Sequence, residues 1–272
     1  MSTKYTDIQE IVLRHSARGM DKLTGFLPRD SYGRVAERLR SLPRGSAILI
    51  ATGFDVGGAA ETDGPPGAYA VANALMRLGY EVTIVVPEIC RGFFEGECFG
   101  VEYVKVKDEV KRYRELLDKH SPKALISIEC LGMDTEGEYC NFRGKNIASI
   151  TAKMDILFRL ASDDELYTVG IGDGGNEIGM GRLREEIKRH IGIKPCGIDT
   201  TDLLVATTSN WGAYGLAKSL EGILDYDDLF AFTKKIVAFG AVDGITKQEE
   251  PTVDGFSVDV DQEIVEAIAN LW

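Results

Sequence analysis

Between Ser46 and Thr207 the chain alternates short apolar runs with stretches whose apolar residues recur every three or four positions. The runs at 47–51, 82–86, 101–106, 124–128, 166–171 and 203–207 read as strands. Most are continuously hydrophobic, the pattern of strands covered on both faces. Helical faces lie between them: Ala68, Val71, Ala72, Leu75 and Met76; Val110, Tyr113 and Leu117; Ile147, Ile150, Met154, Leu157, Phe158 and Ala161; and Met180, Leu183 and Ile187. Upstream, a first helix opens on a capping box, Thr6 to Gln9, with Ile8, Ile11, Val12 and His15 on one face. A second starts near Asp30 or Ser31, turns Val35, Leu39 and Leu42 inward and stops at Pro43. Residues 225–272 read as a helix, a Gly- and Asp-rich loop (240–255) and a closing helix from about Asp261.

Strand–helix alternation of this kind predicts a doubly wound α/β fold: a mostly parallel sheet of about five to seven strands with helices on both faces. The segments 47–51, 124–128 and 166–171, the most continuously apolar, are expected in its centre. No repeat or linker interrupts the pattern, so residues 1–272 are read as one domain, with a helical extension (1–45) and a Rossmann-like core and closing segment (46–272).

Composition narrows the function classes. A chain of 272 residues that is 44% hydrophobic can bury roughly three quarters of its unfolded surface. No apolar run reaches the roughly 18 residues of a membrane span, and the first residues lack the marks of a signal or transit peptide, so a cytoplasmic location is expected. Cys90, Cys98, Cys130, Cys140 and Cys196 are scattered and form no CxxC pair, which argues against a disulfide framework or structural zinc. His15, His120 and His190 fall in helix-like stretches and suggest no His-rich metal centre. A net charge of -12 without a basic stripe argues against nucleic acid.

In an open α/β sheet ligands bind beyond the carboxyl ends of the strands, near the point where strand order reverses. The loops there are Thr52 to Gly67, Glu129 to Gly144, Gly172 to Gly181 and Thr208 to Gly212. Each combines glycine with acids, amides or hydroxyls, whereas the opposite-end connections look like plain reversals. Gly170 to Gly181 holds six glycines in twelve residues, and glycine lets a ligand approach main-chain N–H groups. Tight turn geometry alone does not call for Asp173, Asn176 and Glu177 beside them.

Gly170, Gly172 and Gly175 satisfy a bare GxGxxG. Asp173 and Glu177 would set negative charge against a pyrophosphate, and no acid follows the next strand to hold a ribose, so no nucleotide cofactor is expected. No P-loop pattern occurs. An acid-rich pocket suits a substrate ammonium or a hard divalent cation (Mg²⁺, Mn²⁺ or Ca²⁺), for which Glu61, Asp63, Glu129, Asp173, Asn176 and Glu177 offer oxygens. Glu129 and Asp173 are the leading metal candidates. Plain structural roles compete: Asp63 as an N-cap before Pro65, Glu129 as a buried loop cap, Ser209 and Asn210 as helix caps. Arg143 is either a carboxylate clamp or an exposed loop residue, and Lys247 a lid residue or simply an exposed lysine.

The stretches Thr52-Gly-Phe, Glu61-Thr-Asp-Gly-Pro-Pro-Gly-Ala68, Asn141-Phe-Arg-Gly144 and Gly172-Asp-Gly-Gly-Asn-Glu-Ile-Gly-Met-Gly181 resemble the C-terminal domain of the D-glutamate cyclase family. So do Val242-Asp-Gly244 and Thr252-Val-Asp-Gly255, and the likeness runs from about residue 10 to about 260. The resemblance implies a lyase that dehydrates D-glutamate intramolecularly to 5-oxo-D-proline, with no obligatory cofactor. Cyclases of this kind carry a hydro-lyase-like N-terminal domain that this sequence lacks. The other reading is therefore a non-catalytic binding or regulatory module acting with a separate hydro-lyase-like partner. For catalysis, Glu129 or Asp173 is the expected base, with Glu177 as a further catalytic acid. The N–H groups of Gly174 and Gly175 are the expected oxyanion donors. Asn176, Ser209, Asn210 and Arg143 would orient carboxylates, and Thr52, Gly53, Glu61, Thr62, Asp63 and Gly64 would complete the substrate site.

Overall fold

The computed structural model describes residues 3–164 and 166–272. Among them, six strands form one parallel sheet: β1 (Ala47–Thr52), β2 (Glu81–Pro87), β3 (Gly100–Val104), β4 (Ala124–Ile128), β5 (Tyr167–Gly172) and β6 (Asp202–Val205). Their order is β3-β2-β1-β4-β5-β6. The chain thus builds outward twice from the middle, and the order reverses between β1 and β4, where Ile50 pairs with Ile126. The three segments expected in the centre are all interior strands. The edge strands are shorter than their apolar runs: β3 ends before the exposed Val106, and β6 stops at Val205.

Side chains alternate between two cores, as the two-residue period of a strand requires. Ile48, Ile50, Ile84, Ile126, Ile128, Val169, Ile171 and Leu204 face one core. Leu49, Ala51, Val85, Leu125, Leu203 and Val205 face the other. The first core is covered by α1 (Thr3–Val12), α2 (Ser31–Arg40), α3 (Pro65–Arg77), α7 (Ser209–Ser219), α8 (Tyr226–Ala238) and α9 (Val258–Ala269). The second is covered by α4 (Val110–His120), α5 (Asp155–Asp163), α6 (Arg184–His190) and the 3-10 turn Met20–Phe26. The N-terminal helices are part of this packing, since Ile8 and Tyr32 reach α7 at Gly215.

Three helix starts differ from the sequence reading. α1 begins at Thr3, so Thr6 lies inside it rather than at its cap; His15 falls beyond its end with φ +59°. α5 begins at Asp155, not near Ile147. Thr151 Oγ1 donates to the Ile147 carbonyl, and Lys153 Nζ to those of Ala148 and Thr151. Side chains therefore use acceptors a helix would need, and Ile147 and Ile150 become loop wall instead. Met180 precedes a short 3-10 turn (Gly181–Leu183) before α6. No described helix is long and apolar enough to cross a membrane.

Candidate functional site

The loops leaving β1, β4, β5 and β6 converge at the carboxyl end of the sheet, at the β1/β4 reversal. The β1–α3 and β6–α7 loops are locked by an exchange of caps. Asp63 Oδ2 accepts from the Ser209 N–H (2.9 Å) and Oδ1 from that of Asn210 (2.7 Å), so Asp63 caps α7 rather than its own helix α3. In return Asn210 Oδ1 accepts from the N–H groups of Gly64 and Gly67 at the start of α3, both at 2.9 Å, and its Nδ2 donates to the Thr62 carbonyl (3.0 Å). The exchange needs close backbone approach. Gly64 sits at φ +100°, and a Cβ there would lie 2.7 Å from Thr52 Oγ1 and 2.9 Å from the Glu129 Cβ.

Glu129, the first residue after β4, has φ +50°, uncommon for a residue with a side chain. Its Oε2 accepts from Ser209 Oγ at 2.6 Å. After β5, Glu177 folds back on its own turn: Oε1 accepts from the Gly174 N–H (3.0 Å) and Oε2 from that of Gly175 (2.7 Å). The two N–H groups expected as oxyanion donors are therefore already committed to Glu177. Asn176 Nδ2 is likewise occupied, donating to the Cys140 carbonyl (3.2 Å).

A residue outside all these loops completes the cluster. Arg18, between α1 and the 3-10 turn, reaches Asp173 Oδ1 and Asp254 Oδ1, each at 2.7 Å, with a side chain only 20% exposed. Six carboxyls are thus buried together, from Glu61, Asp63, Glu129, Asp173, Glu177 and Asp254. Among the described residues Arg18 is the cation paired with them. Desolvation pushes Glu61, Glu129, Asp173 and Asp254 well above the usual carboxylate range, and their mutual repulsion adds to it. Burial also raises Glu177, against the pull of its backbone donors, and pushes Asp63 up to about 7. Burial alone would lower Arg18; the charges of Asp173, Asp254 and Glu129 overcome it and hold the guanidinium protonated.

A cavity of about 270 Å³ opens beside the cluster, near the lower limit for small-molecule sites. Glu61, Glu129, Glu177 and Asp254 line it together with Arg18. Arg143, Lys145 and Lys247 line it too, all exposed, and Phe142 and Ile245 stand at its mouth. Lys247 and Asp254 share with Glu129 a positive φ, at +61° and +52°. Such backbone strain gathers at functional sites.

The cavity brings together Glu61, Glu129, Arg143, Gly174, Asn176 and Glu177 from the expected set. Thr52, Gly53, Thr62, Asp63, Gly64, Gly175, Ser209 and Asn210 do not line it, and Asp63, Ser209 and Asn210 bond to the protein itself. Asp173 is fully buried behind Arg18 and does not line the cavity, although the sequence made it a leading base. Oxygens of Glu129, Asp173 and Glu177, and of Asp63, Asp173 and Asp254, lie within 4.8 Å of one another, close enough for a cation. Arg18 already holds one oxygen of Asp173 and one of Asp254. Sequence reasoning missed Arg18 and Asp254; Asp254 stood inside a quoted motif, whereas nothing local marks Arg18.

The D-glutamate cyclase-like, C-terminal family matches residues 8–269. The human protein named D-glutamate cyclase, mitochondrial is 31% identical over 205 residues, covering 66% of this chain and 33% of that protein. The chain therefore spans about a third of the length of that curated relative. Among solved structures, an exopolyphosphatase-related protein from Bacteroides fragilis aligns with 89% of this chain and 56% of its own, at 9% identity and TM-score 0.45. The Bordetella bronchiseptica enzyme WbmG in complex with NAD aligns with 66% of this chain and 50% of its own, at 15% identity and TM-score 0.33. Likeness that weak says nothing about function. The family match, spanning nearly the whole sequence, does: this chain belongs to the D-glutamate cyclase-like, C-terminal family.

Proposed function

We propose that the chain is a D-glutamate cyclase-type lyase, closing D-glutamate to 5-oxo-D-proline with loss of water. The observation that carries this reading is the charge of the cavity lining, which divides into buried acids and the exposed cations Arg143, Lys145 and Lys247. A substrate with one ammonium and two carboxylates matches that division of charge. Acids take the ammonium and cations take the carboxylates, which bends the molecule so that nitrogen approaches the carbon of its own γ-carboxyl. Glu129 is the better base of the two expected, because it faces the cavity and Ser209 fixes its carboxyl. A divalent cation at Glu129 and Asp173 would serve instead by polarising the γ-carboxyl, provided Arg18 yields its place. The test is chiral product analysis of the purified chain incubated with D-glutamate, with and without Mg²⁺, Mn²⁺ or Ca²⁺. Formation of 5-oxo-D-proline is expected; its absence under every condition sinks the reading.

The second reading, a non-catalytic module working with a separate hydro-lyase-like partner, is favoured by length: the human relative is about three times as long as the region matched. Thermal-shift measurements separate the two. Stabilisation by D-glutamate or 5-oxo-D-proline supports the lyase, and stabilisation by a partner protein alone supports the module.

A further inference from the structure

Hydrogen-bond donors are shared unequally among the six buried carboxyls. Asp63 accepts three main-chain N–H groups, from Gly64, Ser209 and Asn210. Glu177 accepts two. Asp173 and Asp254 divide the guanidinium of Arg18. Glu129 receives one hydroxyl, from Ser209. Asp173 Oδ2 and Asp254 Oδ2 are buried without a partner, as is Glu61 Oε1, but among the described hydrogen bonds and ion pairs Glu61 alone of the six receives no donor on either oxygen, and a Cβ on Gly244 would collide with its Oε2. Donors favour the ionised carboxylate and their lack favours the acid. A buried carboxyl without a donor avoids the cost of charge by keeping its proton. The two least supplied groups, Glu61 and Glu129, are also two that line the cavity, whereas the best supplied, Asp63, does not.

We infer that Glu61 and Glu129 are the proton-carrying pair of this site, Glu129 taking a proton from the substrate amine and Glu61 giving one to the departing oxygen. Both hold protons when the cavity is free of ligand. An ammonium entering beside Glu129 ionises it, releasing that proton to solvent, and the Ser209 hydroxyl steadies the charge. Glu129 then removes a proton from the ammonium, and the neutral nitrogen bonds to the carbon of the γ-carboxyl. Glu61 protonates a γ-oxygen as that bond forms. A second proton passes from nitrogen to Glu61, and Glu129 returns its own to the same oxygen, which leaves as water. Two hydrogens have moved from nitrogen to oxygen, one C–N bond has formed and one C–O bond has broken; Glu61 is as it began, and Glu129 regains from solvent, as product leaves, the proton it released on binding. The cations facing the pair are Arg18, held by Asp173 and Asp254, and the rim residues Arg143, Lys145 and Lys247.

The catalytic order rests on the lyase reading; the distribution of protons is tested without substrate. Infrared difference spectra of the intact ligand-free chain at neutral pH report protonated carboxyls by their C=O stretch, which shifts in D₂O. A band is expected, weakened by Glu61→Gln and again by Glu129→Gln, with a smaller loss in Asp63→Asn. Gln keeps the shape of Glu, and circular dichroism of each variant verifies the fold. Absence of the band in the unmodified chain overturns the inference, as does a band that survives Glu61→Gln but disappears in Asp173→Asn or Asp254→Asn. A band that behaves as expected alongside no cyclised product would leave the protonation pattern standing and sink only the lyase reading. Added D-glutamate should then abolish the Glu129 share of the band if it binds, and calorimetry in two buffers should read about one proton released per ligand; binding with no proton exchange counts against the pair.

Discussion

Replacing Asn210 with alanine tests the lock behind the cavity most directly. The change removes the acceptor for the Gly64 and Gly67 N–H groups and the donor to the Thr62 carbonyl. The Gly64 N–H keeps Asp63 Oδ1 at 3.1 Å, so two groups, the Gly67 N–H and the Thr62 carbonyl, are stripped of these partners in a buried setting. An unsatisfied buried polar group costs about 1–3 kcal/mol. The expected loss is therefore about 2–6 kcal/mol, a large part of the ~5–15 kcal/mol stability of a typical domain. Urea denaturation followed by far-ultraviolet circular dichroism and by the fluorescence of Trp211, the next residue, measures it as a lower midpoint at unchanged slope. Asn210→Asp sharpens the test. It keeps the acceptor but turns a carboxylate toward the Thr62 carbonyl, so it should approach the parent stability only at low pH, where the protonated acid donates to that carbonyl. A loss below about 1 kcal/mol for the alanine variant would mean that water or backbone adjustment replaces these bonds, and the lock would not be structural.

The remaining expectations concern charge and shape. Carboxyls raised in the folded chain bind more protons there than when unfolded, so the stability they contribute is complete below their unfolded values and fades as pH rises through their folded ones. With Glu61, Glu129, Asp173 and Asp254 raised and Asp63 near 7, the melting temperature of the ligand-free chain should fall between about pH 5 and pH 8. Calorimetric scans giving a flat or rising profile across that range would contradict the clustered-acid account. Asp173→Asn, which keeps an oxygen for Arg18 while removing a buried ionisable group, should leave the fold intact and flatten that profile; a variant that loses several degrees would make Asp173 a structural cap. Gly64→Ala should cost at least the ~1–3 kcal/mol of a strained backbone, because the new methyl group also meets Thr52 and Glu129; near-parental stability in urea would show that the turn can relax.

The strands were legible because each interior one is covered on both faces, which forces continuous runs such as 47–51 and 124–128. The direction of the sheet then indicated the loops that hold the site. What local pattern did not convey was the use of each polar group. Ile147 and Ile150 keep helical spacing with Leu157, yet they belong to a cavity wall whose carbonyls are taken by Thr151 and Lys153. The glycines around Asp173 suggested open N–H groups, but Glu177, two and three residues away, folds back onto them. Arg18 lay beyond reach altogether. It follows a helix rather than a strand, and only the placement of α1 against α7, with the Thr207 N–H donating to the Val12 carbonyl at 2.9 Å, brings it over the acids. Electrostatic partners distant in sequence leave no periodic trace.

The exchanged caps of α3 and α7 bear on how the molecule can be divided. A cut in the turn after α4, between Ser121 and Pro122, separates the strands β1–β3 from β4–β6 at the reversal of the sheet. Asp63 would go with one fragment, Ser209 and Asn210 with the other. Each piece would expose the interior edge of its own half-sheet and a helix whose first N–H groups had lost their acceptors. Neither is then equipped to fold by itself, but mixed together they carry complementary ends. Fragment complementation should therefore be all-or-none, with the acidic cavity assembled only in the rejoined pair.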